Sequence, residues 1–106
     1  MAGDVWLSDK IRWSANSSLY HWVLEFLISS VDDHEAVRSL KEIRDVNIGL
    51  VNVAEFDPKV QHQIIELLRG SLVPDAQTRL RPDMPDRQGF IEGLQELAAL
   101  VSAAAR

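Results

Sequence analysis

The chain has no cysteine. That removes disulfides, thiolate metal centres and a cysteine nucleophile together, and it suits a reducing compartment such as the cytoplasm. Glycine is scarce, five in 106 residues, and none form the loop that cradles phosphates. No serine stands in a Gly-x-Ser-x-Gly turn. Long hydrophobic runs are missing too: Leu19–Val31 is interrupted by Glu25 and falls short of the ~20 residues that cross a bilayer. The first residues, Met1-Ala2-Gly3-Asp4-Val5, hold no basic segment followed by an apolar one, so no signal peptide is expected. Positive charge is in deficit, eleven Lys and Arg against sixteen Asp and Glu, for a formal charge of −5. This argues against a nucleic-acid binder, which draws affinity from neutralising phosphates. It permits a basic protein partner.

What remains is an ordinary globular composition, 46% apolar and 25% charged, in a chain of one-domain size that can bury roughly two-thirds of its unfolded surface. The organising stretch is Leu19–Val31. Leu19, Trp22, Val23, Phe26 and Leu27 follow helical spacing, while Tyr20, Leu24, Ile28 and Val31 carry the apolar surface round the cylinder. Only Ser18, His21, Glu25, Ser29 and Asp32 leave a thin polar seam. A helix apolar on nearly every side must be covered by others. A strand is the alternative for so short a run, but the length and the preceding Ser17 or Ser18 cap favour helix.

Asp32-Asp33-His34-Glu35 reads as a capping box with Asp32 as cap, starting a helix whose face is Ala36, Val37, Leu40, Ile43 and, at its end, Val46. Gly49 is the expected left-handed terminator. Asp57-Pro58 starts a third helix with proline at its first position, buried along Val60, Ile64, Leu67, Leu68 and Leu72 and ended by Gly70 or Pro74. A last helix follows from about Asp86 or Gln88, with Phe90, Ile91, Leu94, Leu97, Ala98 and Val101 inward. Gly93 weakens it by about 1 kcal/mol relative to alanine. Residues 4–16 fit equally a hairpin around Ser8-Asp9-Lys10 or an irregular arm. Residues 48–56 fit a strand or an extended link, and the link is preferred because a lone two-stranded ribbon is marginal. The expectation is therefore an all-α, single-domain, four-helix bundle-like fold over 1–106. Its helices lie near 17–31, 33–47, 58–70 and 88–102, with an N-terminal arm over 1–16 and a Pro-rich loop over 74–89.

Few residues point to chemistry. His21 and Glu25 stand four apart, as do His62 and Glu66, and such pairs facing each other would make a metal site. This is the basis of the alternative, a small metal-dependent enzyme. Solvated neighbours explain them as well, and the di-iron helix motif has Glu three residues before His. The sequence assigns no catalytic residue, metal or cofactor. The preferred reading is a non-catalytic protein-binding module with a basic partner, in its sharpest form an immunity- or antitoxin-like inhibitor, since acidic inhibitors of basic nucleases gain on-rate by charge steering. A homodimer sealed around Leu50–Phe56 is a further alternative. The partner surface is expected on the arm and the loop, at Trp6, Trp13, Arg79, Arg81 and Arg87, because tryptophan and arginine are enriched at interface hot spots.

Overall fold

The computed structural model describes residues 2–8 and 10–104. Its elements are β1 (Ala2–Trp6), β2 (Arg12–Asn16), α1 (Ser17–Ser30), α2 (His34–Asp45), β3 (Leu50–Asn52), a 3₁₀ turn (Val53–Glu55), α3 (Pro58–Glu66), a π turn (Leu67–Ser71), α4 (Leu72–Arg79) and α5 (Arg87–Ala104). The fold is α+β, which corrects the all-α expectation. A mixed three-stranded sheet of order β2-β1-β3 is formed by the very stretches read as arm and link. β1 and β2 are antiparallel, Val5 opposite Trp13, and β3 joins the other side of β1 in parallel, with Val51 beside Val5.

The physical reason is alternation too short to register from sequence. Val5, Trp13 and Val51 form one row that is fully buried, whereas Asp4, Trp6, Arg12 and Ser14 point the other way. A two-stranded ribbon alone would be marginal; a third strand and a covering helix remove that objection. The hairpin closes where Leu7 N–H donates to Ile11 O at 2.9 Å and Ser8 Oγ accepts from Ile11 N–H at 3.2 Å. Asp9, in the expected turn, lies outside the described residues.

α1 is the hub, as its composition predicts: Leu19, Tyr20, Val23, Leu24, Phe26 and Leu27 are buried, and it packs on β1, β2, α2 and α5. Trp22 stacks on Phe26 and meets Phe90 of α5 edge-on, at ring-centroid distances of 6.0 and 6.4 Å. Its cap is Asn16, whose Oδ1 accepts from Leu19 N–H at 2.9 Å, one residue before the expected serines. α2 is likewise capped one residue later than expected, by Asp33 on Ala36 N–H at 2.9 Å. Asp32 instead exchanges two hydrogen bonds with Gln63, tying the α1–α2 turn to α3.

The third helix does not stop at Gly70 or Pro74. It runs on through the π turn into α4, so the expected Pro-rich loop shrinks to residues 80–86. Val60, Ile64, Leu68, Leu72 and Ala76 are all buried, at a strict spacing of four. On a regular α-helix each such step drifts roughly 40° round the axis. The wider π turn, where Leu72 N–H donates to Leu67 O, takes up the drift and keeps one stripe on the core. It also lies just ahead of Pro74, which has no N–H and whose ring would crowd the Gly70 carbonyl in a regular helix.

Candidate functional site

The five residues expected to form a partner surface are each buried or engaged by a neighbour. Trp13 is only 2% exposed and belongs to the core. Trp6 is half-buried on the outer sheet face, with the Arg12 guanidinium 4.0 Å above its ring. Arg79 pairs with Asp75 and Arg81 with Asp83, each at 3.3 Å. Arg87 donates to Gln77 O at 3.0 Å. The guanidinium at Trp6 is thus that of Arg12, and the other three arginines are engaged locally.

Three of the four side chains of the His/Glu pairs are also engaged. His21 Nδ1 lies 2.8 Å from Ser17 O, inside its own helix. Glu25 pairs with Arg44 at 3.1 Å and Glu66 with Arg69 at 2.6 Å. Among the described residues no three His, Asp or Glu side chains come together as a metal site would need.

A different surface is assembled where α2 ends and β3 begins. α2 terminates at Asn47, which takes the left-handed conformation (φ 63°) in place of the expected Gly49. Ile48 N–H then donates to Ile43 O at 2.9 Å and Asn47 N–H to Arg44 O at 3.2 Å, the paired bonds of a Schellman motif. That motif brings Ile43 and Ile48 to one groove, lined also by Leu50, Asn52 and Phe56, with a volume of about 310 Å³. Ile48 is 46% exposed, and Val46 just upstream 63%; they are the large aliphatic side chains left most open.

The groove floor is fixed from inside. Tyr20 hydroxyl donates to Ile48 O at 3.0 Å, and its ring lies where a side chain on Gly3 of β1 would be. Burial, and secondarily the nearby Asp4 carboxylate, push the Tyr20 pKa above its ordinary value. The far end is held by Gln61, whose amide donates to Phe56 O at 2.6 Å and Ala54 O at 3.2 Å.

Beyond Phe56 the groove continues into a cleft of about 150 Å³ lined by Asp33, Glu35, Glu55 and Asp57. Among the described residues none of these carboxylates lies in a salt bridge. Asp33 is occupied by its cap and Glu55 accepts weakly from Asn52 at 3.4 Å, while Asp57 makes no side-chain capping bond. One continuous surface therefore passes from aliphatic to acidic, sharing Ser39, Glu55 and Phe56. Trp6, opposite Asn52 in the sheet, stands one strand in from it. The sequence offers Leu50–Phe56 as a strand, a link or a dimer seam; its signals for the rest are the apolar Ile48 after a helix end and the acids at the starts of α2 and α3.

No helix among the described residues is long and apolar enough to cross a membrane. Comparison with known protein families, with curated proteins and with solved structures returned no match.

Proposed function

We propose that the protein is a non-catalytic protein-binding module whose partner offers an apolar and basic surface to the groove between α2 and β3. The observation that carries this reading is the passage from Ile43, Ile48 and Leu50 into four carboxylates without cationic partners. Apolar anchors supply the area, and an unneutralised acidic end selects a cation and speeds encounter. The same carboxylates disfavour a nucleic-acid backbone. An inhibitor of a basic toxin is the sharpest form of this function, and the absence of cysteine fits work in the cytoplasm.

A pull-down with salt titration tests it. Capture falls as salt rises, and both Ile48→Glu and the pair Glu55→Lys with Asp57→Lys abolish it. Ile48→Glu leaves the melting temperature in place because the position is exposed, while the lysines, at the start of α3, cost about 1 kcal/mol of stability. Capture that strengthens with salt, or survives both variants, refutes the reading. A homodimer is the second reading, favoured by the exposure of Val46 and Ile48. Sedimentation equilibrium of the wild type and of Ile48→Glu decides between them.

A further inference from the structure

β3 is an edge strand, and its phase on β1 is fixed. Asp4 N–H donates to Gly49 O at 2.9 Å, beside the register Asp4–Leu50, Val51–Val5 and Trp6–Asn52. In a parallel ladder alternate residues turn both backbone groups to the neighbour and the intervening ones turn both away. Val51 therefore serves β1, while the Leu50 N–H, the Leu50 C=O and the Asn52 N–H face outward along the groove. Natural edges are commonly blunted with lysine, proline or a bulge. β3 is protected by its shortness, three residues, but Leu-Val-Asn carries none of these other devices.

We propose that the groove takes an extended segment of a basic partner, which adds to β3 as a fourth strand. The inference rests on the protein-binding reading and specifies its mode. In strand addition the backbone supplies affinity and alternate side chains supply selectivity. Here one or two aliphatic side chains of the segment enter the 310 Å³ groove beside Ile43 and Ile48. A lysine or arginine further along reaches the Asp33, Glu35, Glu55 and Asp57 end. Three outward groups make a short ladder, so the side chains must carry much of the selectivity. A second copy of the chain is the weaker occupant. Pairing two β3 edges would bring two acidic clefts together on chains that each carry a charge of −5.

The test uses the full chain and synthetic eight-residue peptides that alternate Lys or Arg with Ile, Val, Leu or Phe, read by fluorescence anisotropy. Their counterparts carry Glu in place of the basic residues, or N-methyl groups on alternate backbone nitrogens. The expected result is binding at least tenfold tighter for basic than for acidic peptides, and at least tenfold weaker after N-methylation in the strand-pairing phase. Ile48→Glu abolishes binding with circular dichroism unchanged, and Glu55→Lys with Asp57→Lys reverses the charge preference. N-methylated peptides that bind as well as their parents overturn strand addition and leave the groove as a side-chain site. No binding by any peptide, while a partner protein is still lost with Ile48→Glu, also overturns strand addition. A dimer dissociated by Ile48→Glu assigns the edge to a second copy and overturns the proposal.

Discussion

Adding one methyl group at Gly3 tests how the wall of the groove is built. Gly3 lies in β1 opposite Ala15, and a Cβ there would fall on ring atoms Cγ, Cδ1 and Cδ2 of Tyr20. The ring is buried at 3% exposure and cannot swing aside freely, because its hydroxyl is anchored 3.0 Å from Ile48 O. Overpacking of this kind costs about 1–3 kcal/mol, and losing the anchor adds about 1 kcal/mol. Gly3→Ala should therefore remove about 2–4 kcal/mol of a total stability of roughly 5–15 kcal/mol. Urea unfolding reads this as a lower midpoint with unchanged slope. Gly70→Ala is the control. Nothing lies within 4 Å of a Cβ at that position, so the change is neutral or stabilises by up to about 1 kcal/mol. A Gly3→Ala midpoint equal to wild type refutes the reasoning. So does a deficit undiminished when Tyr20 is shortened to Val in the same chain, since the two changes must couple if they compete for one space.

Tyr20→Phe should flatten the alkaline limb of the stability profile. The folded pKa of Tyr20 is raised above 10.0, so its contribution is complete below that value and is lost as pH rises through the folded pKa; an identical limb in the variant would count against a buried phenol. Leu27→Ala, at a position with 0% exposure, should cost about 2–5 kcal/mol in the same assay, and an unmoved midpoint would remove α1 from the centre of the core. Deleting Gly70 should convert the π turn to a regular α turn while Leu72 and Ala76 stay on the core. Alone it leaves Pro74 in a regular helix at a cost of about 3 kcal/mol; combined with Pro74→Ala it should restore most of that, and failure to recover would refute the account of the bulge.

Helices were legible where they carried their own periodicity. α1 announced itself by being apolar all round, and α3 by Asp57-Pro58. The strands were not legible, because three residues of β3 cannot display a period and β1 offers only Asp4-Val5-Trp6. Their existence depends on one another: each becomes stable only when the other two and α1 are in place. The continuation through Pro74 was hidden for a related reason. A proline in a helix is normally a stop, and the π turn that excuses it is visible only when Leu72 and Ala76 are seen on the core. The burial of Trp13 is hidden as well, because a single apolar residue in Arg-Trp-Ser does not reveal whether its face is covered.

The acidic end of the groove shows how a site can be hidden by sufficient local explanations. Asp33 caps α2, Glu35 sits in its first turn, Glu55 lies in the 3₁₀ turn and Asp57 precedes Pro58 at α3. Each is what a helix or turn start favours, and none needs a partner to account for it. Only the fold shows that α2 and α3 begin side by side, so that carboxylates 20 or more positions apart share one cleft. The same helix ends limit the field they create: at roughly +0.5 charge each, two α-helix N-termini against four carboxylates leave about −3. A cleft with that charge should still steer a basic segment, and its pull should fade once the Debye length falls to ~3 Å at 1 M salt. Aliphatic contact with Ile43 and Ile48 does not fade in that way. The residual affinity at high salt therefore measures the apolar half of the groove, and the part lost measures the acidic half.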